Sequence, residues 1–430
     1  MSNLILVTGA TGYIASRLIP QLLDRGYQIR ALARQPQRLK NRSWFHQVEI
    51  TQGDVTTPST LAPALEGVST AYYLIHNMAS GQGYTGRELD AARNFARAAE
   101  TAGIKHIIYL GGLADEEQHI APHMRSRIET GATLRQGKVP VTEFRAGVIA
   151  GSGSISFEMI RFMTELLPII PGPYWLKNKT QPIAIQNVMD YLLAALDNHS
   201  GHGQVFEIGG PQVTTYQELM LLYAKARGHK RRFLLLPYVP VWFMAFGIGL
   251  TTPVPRPIAY ALVGGLSSDS VVIHNAARKI YPEVNLVDFE SATKEALTRL
   301  HPHKLERVWD DEGRTRMLKH EGFFICQREL KVAAAPEKIF SVITKLADRF
   351  EVEYMEADHL LLAHLKIKTP GEGWLEWRAG HAVNVTTITQ TVFFTPRGFG
   401  GFFFWYLLYP IIALAFQALL KNIARNSVVK

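Results

Sequence analysis

Short apolar runs alternate with amphipathic segments over the first 150 residues. The runs at 4–8, 28–33, 48–52, 70–74, 106–110 and 141–145 are bounded by turn-forming residues and predict six strands. Between them, 87–102 predicts the clearest helix, with Leu89, Ala92, Phe95, Ala96 and Ala99 on one face. Strands joined by helical crossovers imply a parallel sheet covered on both sides, the doubly wound α/β architecture, which takes ligands at the C-terminal ends of its strands.

After residue 150 the pattern loosens. Helices are predicted at 156–166, 185–196 and 216–227 and a strand at 205–208, as extensions that build a substrate cleft over the sheet edge. Residues 301–321 carry ten charged side chains with little apolar periodicity, which predicts a linker between a domain over 1–300 and another over 322–430. The second part reads as a strand at 324–332, a helix opened by Pro336, alternating strands and a last apolar helix. Helix and sheet are segregated there, so its expected class is α+β. Phe399 opens and Leu420 closes a run without a charged residue, interrupted by Pro410 and bracketed by Arg397 and Lys421. At about 1.5 Å per residue it is long enough to cross a hydrocarbon core. A helix buried in its own domain and a helix associated with a membrane are the two readings. A second apolar run, 234–250, contains Pro237 and Pro240, which argue against a span.

Composition narrows the picture. A chain of 430 residues with 47% hydrophobic side chains is expected to fold into two globular units. Its single cysteine, Cys326, excludes an intramolecular disulfide framework and fits a reducing compartment. No basic stretch precedes the first apolar run, so no cleaved signal is expected. The expected location is the cytoplasm, with the inner face of the membrane as the alternative. The net charge of +9 favours anionic ligands such as a phosphorylated cofactor or acidic lipid, and no nucleic-acid motif supports that third class of anion. Histidines fall singly and the cysteine is alone, so no metal site is expected.

The most informative chemistry sits in the first turn. LILVTGATGYIAS runs from an apolar strand through Gly9 and Gly12 into a helix. Free amides at a helix start and the positive end of its dipole form an anion site, so Gly9, Thr11, Gly12, Tyr13 and Ile14 are the expected cradle of a dinucleotide's diphosphate. Gly9 supplies the tight turn, Gly12 allows close approach, and Ala15 keeps helix near strand. After the second strand, where an acidic residue would bind the ribose hydroxyl of NAD(H), stand Arg34, Arg38 and Lys40. This favours NADP(H) over NAD(H), against the plainer reading of a solvated basic turn.

These signals, together with ALAR at 31–34, GDV at 53–55, IIYLGGLADE at 107–116 and FRAGVIAGSGS at 144–154, resemble the NmrA-like branch of the atypical short-chain dehydrogenases and reductases. The resemblance covers about 1–300 and implies a Rossmann fold, NAD(P) binding and hydride transfer. It places Asp54 and Val55 beside the adenine, and Ala146, Gly147, Gly151 and Gly153 around the nicotinamide amide. Active members of the superfamily carry Tyr-x-x-x-Lys on a helix and a Ser after the fifth strand. Here Gly111 and Gly112 stand at the Ser position and His123 and Arg127 at the Tyr and Lys positions. Their i, i+4 spacing shares one helical face. His123 is the expected proton donor and Arg127 the ribose ligand, with His76 after the fourth strand as a second candidate; a polar helix face that has lost catalysis is the competing reading. FEIGGPQVTTYQELM at 206–220 resembles a substrate-side stretch of extended reductases, and a helix capped by Thr215 and Glu218 explains it equally well.

Residues 323–430 resemble a bacterial domain of unknown function, the DUF2867 type, and more distantly the START-like lipid-binding fold, through VAAAPEKIFSVI, WLEW and TPRGFGGFFFWYLLYPIIALAF. The stretch after Phe350 is shorter than that family's usual length. The reading that results is an oxidoreductase using NADP(H) on a small or lipid-like carbonyl or quinone compound. The alternative is a nucleotide-binding sensor or accessory protein without turnover.

Overall fold

The computed structural model describes residues 4–40, 42–76, 84–118, 120–237, 239–251, 256–304, 317–320, 323–347, 350–366, 369–382 and 385–428. Seven short runs form one sheet: β1 (Leu4–Val7), β2 (Gln28–Ala33), β3 (Glu49–Gln52), β4 (Thr70–Tyr73), β5 (His106–Gly112), β6 (Val141–Ala146) and β7 (Val205–Ile208). Their order is β7-β6-β5-β4-β1-β2-β3, and every pair is parallel. Alternate residues serve opposite faces: Ile5 and Val7 pack into one core and Leu6 into the other. Helices α1 (Tyr13–Asp24) and Ile185–Asp197 cover the first face through Leu18, Leu22, Val188 and Leu192. Helix α2 (Tyr84–Thr101) covers the second through Ala92, Phe95 and Ala99. Burying each larger side chain contributes about 1.5–3 kcal/mol. Strand order reverses between β1 and β4, and their C-terminal ends open a crevice there.

Helix α3 (Pro122–Arg135) packs beside α2 on β5 and β6, and helices α4 (Ile155–Leu166), α5 (Tyr216–Arg227), α6 (Val241–Thr251) and α7 (Arg256–Gly265) form the extension beyond the sheet. Thr215 and Glu218 close a capping box on α5, so the 206–220 stretch does have the helix cap its sequence suggested. Strands Ile169–Pro173 and Arg232–Leu236 pair in parallel, an element hidden from sequence by Pro171 and Pro173, which read as turn. The apolar run over 234–250 is split by its prolines, the strand ending at Leu236 and α6 starting at Val241.

The C-terminal part is an antiparallel sheet of β8 (Met317–His320), β9 (Phe323–Val332), β10 (Glu351–Glu356), β11 (Leu360–His364), β12 (Gly371–Ala382) and β13 (Val385–Pro396). Its order is β8-β9-β13-β12-β11-β10, with helices α8 (Pro336–Ala347) and α9 (Gly398–Val428) beside it. Met317–His320 falls within the predicted linker yet pairs with β9; residues 305–316 of that linker lie outside the described residues. Between sheet and α9, the Trp405 ring stacks on Phe394 and Phe324 at 5.4 and 5.6 Å, and Trp377 and Phe402 complete the filling. Phe162 of α4 packs into this same core, and Gly398 donates its amide to Glu165 at 2.7 Å, so the two parts meet there.

Candidate functional site

β1 delivers the chain into Gly9, whose φ of +65° lies in the left-handed region; a Cβ there would stand 2.7 Å from the Leu74 carbonyl oxygen. The Gly12 amide donates to the Gly9 carbonyl at 2.8 Å, closing the turn. Gly12 caps α1 without a side-chain hydrogen bond, and no acidic residue sits in the first turn. The opening residues of this twelve-residue helix line the crevice, and its cap residue offers their amides no side-chain acceptor.

Two chambers meet at this turn and share Gly9, Gly12, Leu74, Ile75 and His76. The first, about 350 Å³, is walled by Thr11, Arg34, Asp54, Val55 and Arg87. The second, about 460 Å³, takes in Tyr13, Ile14, His123, Arg127, Ala146 and Gly147. Its walls are mainly apolar, with Leu113, Val148, Met159, Met220, Leu262 and Leu266 among them. Gly153 reaches this wall, whereas Gly111 lies beneath it, its carbonyl accepting from Arg127 Nη2 at 2.9 Å. The Arg127 side chain thus covers the Gly111 carbonyl.

Arg34 is exposed at the mouth of the first chamber. Asp54 uses Oδ1 to accept from the Thr56 amide and hydroxyl at 2.9 and 2.8 Å, an Asx turn that fixes the loop after β3. Two arginines escaped the sequence reading: Arg87 on the chamber wall and Arg42, buried, whose Nη2 donates to the Thr11 carbonyl at 3.3 Å. Nothing in their sequence context distinguishes them from solvated surface arginines.

α3 turns His123 and Arg127 to the second chamber together. Arg127 Nη2 is tied to the Leu110 and Gly111 carbonyls at 3.0 and 2.9 Å, at the C-terminal end of β5. The His123 ring packs on Gly265 of α7, where a Cβ would come within 2.9 Å of its Cε1. Burial, and then the Arg127 charge, push its pKa down to about 4. At neutral pH it is an uncharged ring. His76, at the junction, places Nδ1 3.1 Å from Glu88 Oε1, and its buried Nε2 has no hydrogen-bond partner among the described residues. Glu88 accepts in turn from the Ser126 hydroxyl at 2.5 Å. Burial brings the His76 pKa below its ordinary value, and the Glu88 hydrogen bond offsets part of that fall. Glu88 was not singled out in sequence, since an acid on an amphipathic helix normally faces water; here it is 8% exposed.

Residues 1–262 match the model of the NmrA-like family. The chain belongs to that family. It is 29% identical over 234 residues to a (4-alkanoyl-5-oxo-2,5-dihydrofuran-3-yl)methyl phosphate reductase of Streptomyces griseus, covering 54% of this chain and 76% of the relative. It is 24% identical over 304 residues to an Arabidopsis thaliana mitochondrial subunit, NADH dehydrogenase [ubiquinone] 1 alpha subcomplex subunit 9, covering 65% and 73% of the two chains. Among solved structures, a Citrobacter sp. triphenylmethane reductase complexed with NADP(H) superposes with a TM-score of 0.55 at 22% identity, over 68% of this chain and 99% of that one. An NADPH-dependent quinone oxidoreductase of Escherichia coli, complexed with NADPH, gives 0.54 at 20% identity over the same shares. These likenesses establish the fold. In this NmrA-like chain the position beside Gly112 is taken: a Cβ would meet Met124 Cε at 2.7 Å and Arg127 Cδ at 3.3 Å. At Gly111 it would meet the buried Glu143 Oε1 at 3.2 Å. A Ser at either place would displace these neighbours.

Proposed function

We propose that the protein is an NADP(H)-dependent reductase of a small or lipid-like carbonyl or quinone compound. The observation that carries this reading is the pair of chambers joined at an uncapped helix start, one opening at Arg34 and the other walled by apolar side chains. The residues fit the cofactor: Gly9, Thr11, Gly12, Tyr13 and Ile14 would hold its diphosphate, Arg34 its 2′-phosphate, Asp54 and Val55 its adenine side, and Ala146 and Gly147 its nicotinamide side. When bound, NADPH supplies the hydride.

The chain's own residues then handle charge and proton. Arg127, fixed on the β5 carbonyls, sets a positive charge beside oxygen that becomes anionic. With a pKa near 4, His123 is uncharged at neutral pH and serves as a hydrogen-bonding group rather than as the proton donor expected from sequence. Proton movement falls to His76 Nε2, with Glu88 orienting the ring through Nδ1 and stabilising its charged form. Turnover of NADPH with a panel of quinones and aldehydes, lost in His76→Ala, tests this assignment. The closed positions at Gly111 and Gly112 favour a second reading, nucleotide binding without turnover. Tight NADPH binding with no oxidation on any member of the panel would establish that second reading.

A further inference from the structure

The last helix has two unlike sides. Phe402, Trp405, Ala413, Leu420 and Ile423 are buried against the C-terminal sheet. The opposite side carries Phe399, Phe403, Leu407, Ile411 and Leu414, which are 53, 57, 59, 64 and 66% exposed. Recurring at intervals of three and four, these positions form one stripe about 22 Å long with no charged residue in it. The helix has a mean hydropathy of 1.8 over its most apolar window, of which only 17% is buried. Continuous exposed apolar surface of that extent marks a docking face.

We propose that this face lies flat on a bilayer surface containing anionic lipid. Crossing the bilayer would strip Trp405, Phe402 and Ile423 from the core they fill, whereas lying in the interface buries only the side that is already free. Charge selects the occupant. From Trp377 to the end, the chain has five Lys and Arg residues and no Asp or Glu. Exposed Lys421 and Arg425 continue the stripe at its C-terminal end, and exposed Arg397 stands at its start. A second copy of the same helix offers no acid to pair with these cations; anionic headgroups pair with all three. This inference does not rest on the cofactor reading.

Flotation of the full chain with phosphatidylcholine vesicles, with and without phosphatidylglycerol, tests the proposal. The protein is expected to float with the mixed vesicles and to lose most of that binding at high salt. Lys421→Ala with Arg425→Ala should weaken binding about tenfold or more. Leu407→Glu, Ile411→Glu and Leu414→Glu together should abolish it with the thermal midpoint unchanged, since all three side chains face outward. Failure of the wild-type chain to float with either vesicle would overturn the proposal. So would a stable dimer, seen by sedimentation, that the same three substitutions dissociate, because the face would then belong to a second copy.

Discussion

His76 Nδ1 and Glu88 Oε1 lie 3.1 Å apart, joining the loop after β4 to helix α2; His76 lines both chambers, and its buried Nε2 has no hydrogen-bond partner among the described residues. Because Glu88 also accepts from Ser126, the ring is held from behind and its tautomer is set. Glu88→Ala should therefore lower kcat about 10- to 100-fold with little change in KM for NADPH. It should also move the His76 titration to lower pH, since Glu88 is what raises it. Glu88→Gln, which can still accept from Nδ1, should restore part of the rate. A pH–rate profile of the three proteins checks this; unchanged kcat in Glu88→Ala would remove His76 from the mechanism.

Arg34 stands exposed on the first chamber, whose lining also holds Asp54 and Glu88. Arg34→Ala should weaken NADPH binding about 10- to 100-fold, the worth of a charge-assisted contact, and leave NADH binding nearly unchanged. Parallel titrations with the two cofactors give the ratio directly.

Two buried histidines make the fold sensitive to acid. His123 is held down to about 4 and His106, stacked on His202 at 3.7 Å, to about 3, both chiefly by burial. With the unfolded value near 6.5, the unfolded chain takes up protons first as pH falls. Stability is thus complete above about pH 6.5 and declines towards pH 4, by about 3 kcal/mol for His123 alone. Thermal melts from pH 7.5 to about pH 4.5 should show this loss, and His123→Gln should flatten it.

Glu165, fully buried, receives the Tyr223 hydroxyl at 2.8 Å, Arg227 Nε at 3.0 Å, His229 Nε2 at 2.7 Å and the Gly398 amide at 2.7 Å. Burial alone would raise its pKa, but the His229 hydrogen bond and the Arg227 charge outweigh it and bring the carboxyl to about 2. Its contribution is present above the unfolded value near 4.5 and is lost as pH falls from there to about 2. Glu165→Ala leaves the Arg227 guanidinium and the Tyr223, His229 and Gly398 groups without this acceptor and should cost about 3–5 kcal/mol, lowering the melting temperature and releasing α9 from α4. Hydrogen exchange over Gly398–Val428 locates the effect.

Much of the sheet was legible because its inner strands are buried on both faces, so that Leu4–Val7 or Thr70–Tyr73 shows as a mainly apolar run bounded by turns. The Gly9 turn was legible for a similar reason: a left-handed φ beside the Leu74 carbonyl admits only glycine, and sequence records that directly. Long-range partners were not legible. Glu88 meets His76 and Ser126, and Arg42 meets Thr11, only after the chain has folded, and no spacing rule anticipates such pairs. Nor did sequence separate strand Met317–His320 from the charged stretch before it, since its pairing comes wholly from β9. For the last helix the sequence left two readings, a helix buried in its own domain or one associated with a membrane; its division into a buried and an exposed side needed the sheet in place to be seen.

Calorimetric titration of the full chain with NADPH tests the central claim, that the turn from Gly9 to Ile14 holds a dinucleotide's diphosphate. One saturable site per chain is expected, stronger for NADPH than for NADH, and lost in Gly9→Val, whose Cβ would press on the Leu74 carbonyl. A flat titration with every nicotinamide dinucleotide, or binding unaffected by Gly9→Val in a folded protein, would contradict it.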